Sequence, residues 1–375
     1  MSRILCISFS PISTDARVLR QLNVLAEFGE VTTLGYGPTP TGVTAHLEVD
    51  RGAASLPQTV SGVLRLALRQ HRSVELTAPG EHAAVALLAG EAPFDLVVAN
   101  DARALPLAFS VAGTVPVWAD LHEWAREENT ASAAWRLLVA PYMDALCHRY
   151  LQRAAAVTAV NQSIAELYRE RYGIMPGVVR NAIAEQPLIP SAVDGDQVRL
   201  VHSGIAVPER NLEALIDATA ALDKRFTLDL YLMGDESGYL GQLRRRAAGV
   251  PRVSIHPPVP PAALPATLNA YDLGVYLLPI ASLNHQLMLP NKFFDFVQAR
   301  LGVLISPATE TSALIEKHDL GPRLLDHSVA GHVAALSALS PDDVRRYKQN
   351  AHAAAGALSS EADQRVMRET LTRLL

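Results

Sequence analysis

The 375-residue chain has little cysteine, no long apolar run and no excess of positive charge. Its two cysteines, Cys6 and Cys147, are too few for a disulfide framework, and neither has the spacing of a metal site. No stretch approaches the roughly 18 uninterrupted apolar residues of a membrane span, and the N-terminal run reaches Pro11 too soon for a signal peptide. The net charge of −5 argues against nucleic-acid binding. A cytoplasmic protein is expected, either free or peripheral on the inner face of the membrane.

Several catalytic and cofactor motifs are also missing. The turn after the first predicted strand, Ser10 to Asp15, contains no glycine, whereas a dinucleotide-binding fold places G-x-G-x-x-G there. This absence argues against a nicotinamide-dependent oxidoreductase. The chain has no H-E-x-x-H, P-loop or G-x-S-x-G motif, and no D-x-D follows a predicted strand. We therefore expect neither a metal nor a cofactor.

What is present is a regular alternation of strand-length apolar runs and helical patterns. The runs are rich in Val, Ile and Leu and scarcely alternate, as is typical of parallel strands buried on both faces. Their order predicts an α/β protein with two doubly wound, Rossmann-like domains. The predicted strands are Ile4–Phe9, Glu30–Tyr36, Leu96–Asn100, Val115–Asp120, Ala156–Val160, Arg199–Ser203, Thr227–Met233, Val253–Ile255, Gly274–Leu278 and Val303–Ser306.

A segment of proline, glycine and acid without periodicity interrupts this pattern at residues 185–197, which we predict to be an interdomain linker. Residues 1–184 would then form the first domain and residues 198–355 the second. The last segment, 356–375, is predicted to be a helix that packs back on the first domain. Two such domains would face each other across a cleft, which is where open α/β sheets bind ligands.

The segment Leu289–Phe296 predicts a helix that begins near Pro290, Asn291 and Lys292. A helix start offers free backbone N–H groups and the positive end of the helix dipole, which suit a phosphate. Asp295 follows about one turn later, where its carboxylate could accept hydrogen bonds from sugar hydroxyls. Together these parts could hold a nucleotide diphosphate. The alternative is an ordinary αβ unit whose acid is a solvated charge.

A second candidate for phosphate binding follows the first strand of the second domain. Gly204, next to Ser203, would let the backbone approach a ligand closely. Arg210 is predicted at a helix start, where its guanidinium could bind a diphosphate through two hydrogen bonds. The alternative is a surface arginine paired with Glu209 or Glu213.

Polar residues end two predicted strands of the first domain, at Asn100-Asp101 and at Asp120 to Glu123. Polar clusters at the carboxyl ends of strands are placed for ligand contact. The acids beside His122 favour its protonated form, which could donate to a substrate oxygen or act as an acid or base. The alternative is a histidine bonded to local backbone.

Two further segments allow two interpretations each. Ser13, Thr14 and Asp15 either form a polar lip for the ligand cleft or simply cap the following helix. The segment from Gly62 to Arg72 reads as a basic amphipathic helix with three arginines in one stripe. It would touch an anionic membrane surface or be an ordinary half-buried helix with a solvated face. The stripe consists of Arg65, Arg69 and Arg72.

Four motifs together resemble those of retaining GT-B glycosyltransferases of the family 4 type, and the resemblance covers nearly the whole chain. The most specific is Pro290–Phe296, which is similar to the family's P-N-K-[LF]-F-E-[YF]. Gly302–Ser306 follows it, similar to the family's G-x-P-V-I-A-S, and Glu310 stands where the family has a later glutamate. The others are Asp120–Glu123 for D-x-H-E, Asp15–Val18 for D-x-R-V, and Val178–Asn181 for V-x-R-N. This resemblance implies a GT-B fold and transfer of a sugar from a nucleotide-sugar co-substrate such as a UDP- or GDP-sugar.

The resemblance also implies roles for individual residues. Asp295 would hold the ribose hydroxyls, Arg210 and Lys292 would face the diphosphate, and His122 would contact the transferred sugar. An acceptor hydroxyl, on a glycan, a lipid-linked molecule or a natural product, would attack with retention and without a metal or a protein base. The remaining donor-side residues are Ser203, Gly204, Pro290, Asn291 and Glu310, and those on the acceptor or sugar side are Ser13, Thr14, Asp15, Asn100, Asp101 and Glu123.

One departure from the family pattern keeps other functions open. Family members often carry a Glu-x7-Glu pair, but here the first acid is replaced by Leu287 and the second by the shorter Asp295. A non-catalytic nucleotide-sugar-binding scaffold is therefore an alternative. A nucleotide-sugar 2-epimerase is another, although it should show more acids and histidines around the sugar than this sequence does.

Overall fold

The computed structural model describes residues 1–234 and 238–375, which form two compact units. The first unit comprises residues Met1–Arg180 and Asp363–Leu375, and the second comprises residues Asn181–Ala362. Each unit contains one parallel β-sheet. Among the described residues, no helix is both long enough and apolar enough to cross a bilayer.

The first unit contains strands β1 (Ser2–Pro11), β2 (Gly29–Tyr36), β3 (Ala45–Val49), β4 (Leu96–Asn100), β5 (Val117–Leu121), β6 (Ala156–Ala159) and β7 (Gly177–Val178). Within the described part of this unit they form one sheet in the order β3-β2-β1-β4-β5-β6-β7. Strand β1 pairs with β2 on one side and with β4 on the other, both in parallel. Ligands of doubly wound folds bind at such a reversal of strand order, at the carboxyl ends of the central strands.

The helices between these strands are α1 (Ala16–Leu25), α2 (Val60–Ala67), α3 (Pro79–Leu88), α4 (Leu105–Ala112), α5 (Ala140–Tyr150) and α6 (Gln162–Tyr172). The predicted strands of the first half are confirmed within one or two residues at most ends. The prediction missed β3 and β7. Strand β3 lies at the edge of the sheet with mostly half-buried residues, and β7 has only two residues, so neither presents a buried apolar run.

The basic segment 62–72 is not the single amphipathic helix that the sequence predicted. Helix α2 ends at Ala67, and Arg69 has a φ of 58°, which breaks the helical path before a short 3-10 turn, His71–Val74. The three arginines therefore do not form one helical stripe. Arg65 donates to the backbone oxygen of Ser73 at 3.0 Å.

The second unit contains strands β8 (Val198–Ile205), β9 (Phe226–Met233), β10 (Val253–His256), β11 (Leu273–Tyr276) and β12 (Gly302–Ile305). In its described residues the sheet order is β10-β9-β8-β11-β12, again with parallel pairing. Its helices are α7 (Glu213–Ala221), α8 (Tyr239–Ala247), α9 (Leu264–Leu268), α10 (Leu283–Gln286), α11 (Asn291–Gln298), α12 (Thr309–His318), α13 (Val329–Ser337) and α14 (Pro341–Ala354), and the last helix, α15 (Ser360–Leu374), begins in this unit.

The core of the second unit lies on both faces of its sheet. Leu200 of β8 is buried in one apolar cluster and the next residue, Val201, in another, because successive side chains of a strand point to opposite faces. In the second cluster, a Cβ on Gly274 would lie 2.1 Å from Cγ of Phe296. The Phe296 ring therefore packs directly on the backbone of β11, which fixes α11 against the sheet.

Residues 363–375, the larger part of α15, belong to the first unit. Met367 and Leu371 are buried in the same apolar cluster as Leu22 and Leu25 of α1. Apolar contact along two turns of the helix stabilises this attachment, since each fully buried side chain of this size contributes about 1.5–3 kcal/mol.

Candidate functional site

In the second unit, three side chains meet in front of Gly204 near the end of β8. A Cβ on Gly204 would lie 2.8 Å from Nη1 of Arg210, 3.4 Å from Nε2 of His202 and 3.5 Å from Cε of Lys292. The missing side chain thus leaves a small space bounded by two cations and a histidine. Such a space suits an anion that approaches the backbone closely.

Arg210 does not lie at a helix start, as the sequence predicted. It is the last residue of a 3-10 turn, Pro208–Arg210, because Asn211 takes a left-handed conformation with a φ of 49° and α7 begins only at Glu213. The alternative of a pair with a neighbouring acid is not found either: Arg210 forms no ion pair with any described residue, and Glu213 accepts a hydrogen bond from Tyr239. A half-buried guanidinium that forms no ion pair within residues 1–234 and 238–375 suits an external anion.

Lys292 and Asp295 lie in the first two turns of α11, where the sequence placed them. Nζ of Lys292 lies 3.1 Å from Oδ2 of Asp295, and both side chains are largely buried. Pro290 is the N-cap residue, Asn291 is exposed at the first helical position, and no side chain caps the helix. The amides of Asn291 and Lys292 therefore have no intrahelical acceptor, whereas the amide of Phe293 donates to the backbone oxygen of Pro290 at 2.9 Å.

His202 was not predicted as a site residue. Its ring is fully buried, and Nδ1 donates to the backbone oxygen of Val275 at 2.9 Å, which leaves the lone pair on Nε2. Burial, and then the nearby charges of Lys292 and Arg210, lower the pKa of His202 to about 3, so the ring is neutral. Within the described ranges, Nε2 has no hydrogen-bond partner, and the buried hydroxyl of Ser203 has none either.

Two further positions of the family pattern, Glu310 and Leu287, follow strands of the second sheet in sequence. Glu310 is half-buried in the first turn of α12, directly after β12. Leu287, which stands where the family has its first acid, follows α10 as its C-cap residue. The roles of these two residues at the donor site stay predictions.

The first unit holds a buried ion pair that the sequence analysis did not single out. Nε and Nη2 of Arg17 lie 3.0 and 2.7 Å from the two carboxylate oxygens of Asp120, and both side chains are at most 5% exposed. Thr158 donates to the same carboxylate at 2.6 Å, and Arg17 donates to the backbone oxygen of Val179 at 2.7 Å. The only signal in the sequence was the D-x-R-V pattern, because the two partners are 103 residues apart.

His122 lies at the carboxyl end of β5, held by acceptors on both ring nitrogens. Nε2 lies 3.1 Å from Oδ1 of Asn100 and 3.4 Å from the carboxylate of Asp120, and Nδ1 lies 3.3 Å from the carboxylate of Asp101. Burial acts to lower the pKa of His122, but the charge of Asp101 and the hydrogen bond with Asp120 raise it above its usual value. The acids around the ring therefore act to stabilise its protonated form. Its side chain keeps 17% exposure, enough for contact with a ligand.

Asn100 and Asp101 act on His122 from the end of β4. Asn100 is 1% exposed, and its amide donates to Gln21 at 3.1 Å, so this residue is committed to positioning the ring. Asp101 has a φ of 65°, uncommon for a residue other than glycine, and it is held there by a backbone hydrogen bond to Asp120 and by accepting one from the amide of His122. Strained conformations of this kind cluster at functional sites.

The other first-unit candidates lie in loops at the same edge of the sheet. Asp15 caps α1 by accepting hydrogen bonds from the amides of Arg17 and Val18, and Thr14 donates to the backbone oxygen of Pro11 at 3.1 Å. Ser13 is half-buried in the 3-10 turn before the helix, and the side chain of Glu123 is exposed.

No metal site is found among residues 1–234 and 238–375, where no three or more His, Cys, Asp and Glu side chains are grouped to hold an ion. Cys6 and Cys147 are both buried and free. The second unit thus brings together two cations, a neutral histidine and a carboxylate. The first unit brings together a histidine and its neighbouring acids.

Comparisons with known proteins find likeness in structure only. No family model and no curated protein matches the chain. Solved structures match over its full length, including HepE of Anabaena in complex with UDP, with a TM-score of 0.69, 15% identity and complete coverage of both chains. Sucrose-phosphate synthase of Thermosynechococcus elongatus matches with a TM-score of 0.69, 14% identity and 99% of its own chain covered. TarM of S. aureus matches with a TM-score of 0.68, 9% identity and 99% of its own chain covered.

These structures are GT-B glycosyltransferases, and the predicted GT-B α/β fold is confirmed. At such low identities, likeness establishes the fold alone. Assignment to the family 4 type, retention of configuration and the residue roles stay predictions.

Proposed function

We propose that the chain transfers a sugar from a nucleotide-diphosphate sugar to an acceptor hydroxyl. The observation that carries this proposal is the meeting of Arg210, Lys292 and His202 at Gly204, at the carboxyl end of a central strand. The fold adds support, because neighbours with the same architecture have been solved with UDP, and one of them with UDP and glucose.

The two cations are proposed to bind the diphosphate of the donor. Arg210 has no competing carboxylate among the described residues, and Lys292 lies in the first turn of α11, where the helix dipole adds partial positive charge. Hydrogen bonds to charged groups contribute about 1.5–3 kcal/mol each. These groups would stabilise the charge that develops on the leaving diphosphate, and a metal would not be needed.

Asp295 is proposed to hold the ribose of the donor. Its hydrogen bond to Lys292 fixes the position of the carboxylate and links the ribose contact to the diphosphate contact. Glu310, in the first turn of α12, is proposed to lie beside the nucleotide. Ser203, Pro290 and Asn291 would complete the donor side through backbone and side-chain groups.

His122 is proposed to contact the transferred sugar near its reacting carbon. The acceptor oxygen forms a bond to that carbon while the bond from carbon to the diphosphate oxygen breaks. If the acceptor enters from the side of the leaving group, a phosphate oxygen takes its proton and the configuration is retained. The nucleoside diphosphate then leaves, and no protein base takes part.

Release of nucleoside diphosphate tests this proposal. The chain is incubated with UDP-, GDP-, ADP- and TDP-sugars and a mixture of glycan and lipid-linked acceptors, with and without a chelator. We expect release with one class of donor, no effect of the chelator, and loss of release in Arg210→Ala and Lys292→Ala. Arg246→Ala serves as control, because Arg246 lies on the exposed face of α8 in a pair with Asp217.

One observation favours a second candidate, a non-catalytic nucleotide-sugar-binding scaffold. Leu287 replaces the first acid of the family's pair and offers no hydrogen bond from its side chain to a sugar hydroxyl. This alternative predicts that a nucleotide binds but that no nucleotide sugar is turned over with any acceptor. Binding without release would therefore favour the scaffold over the transferase.

A further inference from the structure

A row of exposed apolar side chains runs along α2 of the first unit. Val60, Leu64 and Leu68 are 90%, 59% and 60% exposed. They follow each other at intervals of four residues, which places them on one side of the helix, while Leu66 on the opposite side is buried. The helix thus packs on the unit through Leu66 and exposes large apolar side chains on its other side. Exposed apolar side chains grouped in this way are typical of an interaction surface.

A fourth exposed side chain extends this row. Leu137 is 65% exposed and lies in the π-helical turn Trp135–Val139, which packs against α2. Nη1 of Arg69 donates to the backbone oxygen of Leu137 at 2.8 Å, and this bond joins the two segments. The apolar surface therefore comprises residues from two parts of the chain.

Positive charge lies directly beside this apolar surface. Residues 60–74 contain Arg65, Arg69 and Arg72 and no acid, in a chain whose net charge is −5. A pocket of about 380 Å³ opens next to α2, and it is lined by Arg69, Gln70, His71, Arg72, Ser73 and Arg149. Among the residues that the structure describes, Nε2 of His71 is buried without a hydrogen-bond partner.

The acids near this pocket are already paired. Glu75 forms an ion pair with Arg149 and accepts a hydrogen bond from the hydroxyl of Tyr150 at 2.6 Å. Asp144 pairs with Arg171 at 2.6 Å. The charges of Arg65, Arg69 and Arg72 are therefore not cancelled by these neighbours, and the pocket suits a phosphate group.

We propose that this surface, named the α2 surface and formed by residues 60–74 with Leu137 and Arg149, docks on an anionic lipid bilayer. The apolar side chains would enter the interface between headgroups and acyl chains, and the arginines would contact headgroup phosphates. A free phosphate would need the pocket but not the apolar row. The combination of both on one surface favours a bilayer, and it does so independently of the proposed transfer reaction.

Flotation with lipid vesicles tests this docking. The full chain is mixed with vesicles of phosphatidylcholine alone and with vesicles of equimolar phosphatidylcholine and phosphatidylglycerol. We expect binding to the anionic vesicles only, weakened by salt because exposed charges are screened. Changing Arg65, Arg69 and Arg72 together to Ser should weaken binding roughly a hundred-fold, since each basic residue near the surface contributes about five-fold.

A matched control removes the same charge elsewhere. Arg244, Arg245 and Arg323 are exposed in the second unit, and their joint change to Ser should leave vesicle binding unchanged. A second variant, Leu64→Ser with Leu68→Ser, removes only apolar side chains that are already exposed, so it should fold normally and still bind at least ten-fold more weakly. The thermal midpoint of each variant is measured alongside, because Arg69 also bonds to Leu137.

Three results would overturn the proposal. The first is that the unaltered chain does not bind anionic vesicles. The second is that the arginine variant binds as well as its charge-matched control. The third is that the leucine variant keeps full binding, which would leave a phosphate pocket without a membrane surface. Nucleotide binding should be unaffected in every variant, so failure of this proposal is distinct from failure of the proposed transferase.

Discussion

Nη1 of Arg210 lies 2.8 Å from the point that a Cβ on Gly204 would occupy. A single hydrogen atom of glycine therefore keeps open the space into which the guanidinium faces. The fold supplies this arrangement because β8 ends at the reversal of strand order, with β9 on one side and β11 on the other.

Gly204→Ala should weaken the binding of a nucleoside diphosphate about 10–100-fold, because the added methyl displaces Arg210 and one charge-assisted hydrogen bond is lost. The flexible end of the guanidinium can move aside, but Gly204 has a φ of 158°, which residues with a side chain rarely adopt, so the variant should also lose some stability. Titration calorimetry measures the affinity. Gly90→Ala is the control, since a Cβ there would meet no atom within 4 Å. Equal affinity in both variants would contradict the assignment.

Arg17→Ala should destabilise the first unit by roughly 3–5 kcal/mol, because it leaves the buried carboxylate of Asp120 without its cation. All three tryptophans, Trp118, Trp124 and Trp135, lie in this unit, so unfolding in urea followed by tryptophan fluorescence reports on it. Arg169→Ala, which breaks an exposed pair with Glu166, should change the free energy of unfolding far less, because solvent screens exposed pairs. Similar losses in the two variants would show that the buried pair is not structural.

Asp101→Asn should lower the pKa of His122. Burial lowers that pKa, and the charge of Asp101 is the first of the effects that oppose burial. Without this charge the effect of burial is opposed less, so the pKa falls. Titration of the histidine ring signals by NMR, assigned with His122→Gln, measures the change. An unchanged or raised pKa in the variant would mean that the charge of Asp101 does not raise the pKa of the ring.

Glu81→Gln should stabilise the chain above neutral pH. Burial raises the pKa of Glu81 to about 7 from an ordinary 4.5, so the folded state favours the protonated form and stability falls as the pH rises through this window. Glutamine carries no charge, so the variant should gain about 2–3 kcal/mol at pH values well above 7. Unfolding measured across this range checks the sign. Glu48→Gln, at an exposed position, should show no such gain, and equal pH dependence in wild type and Glu81→Gln would contradict the prediction.

The sequence predicts most of the fold because parallel strands buried on both faces appear as continuous apolar runs. Strands β4 and β12 are of this kind and lie within one residue of their predicted bounds. The prediction fails where local backbone geometry decides. Asn211 and Arg69 both take left-handed conformations, and these end the helical paths expected for Arg210 and for the basic segment.

The site was partly predictable for a different reason. Lys292 and Asp295 are three residues apart on one helix, so their proximity follows from helical spacing. His202 and Arg17 were missed because their partners come from distant parts of the chain: the backbone of Val275 in the neighbouring strand, and Asp120 in β5. Such contacts depend on the order of strands in the sheet, which cannot be predicted from the sequence around either residue.

A thermal-shift screen with UDP, GDP, ADP, TDP and CMP, repeated on Asp295→Ala, tests the central claim most directly. A ligand that binds only the native state raises the free energy of unfolding, and with it the thermal midpoint. The gain is about 2.7 kcal/mol when the ligand concentration is a hundred times the dissociation constant. The account predicts that one nucleoside diphosphate shifts the unaltered chain, does not shift Asp295→Ala, and still shifts the control Asp217→Ala at an exposed pair. No shift with any nucleotide, or an equal shift in Asp295→Ala and Asp217→Ala, would contradict a nucleotide site at α11.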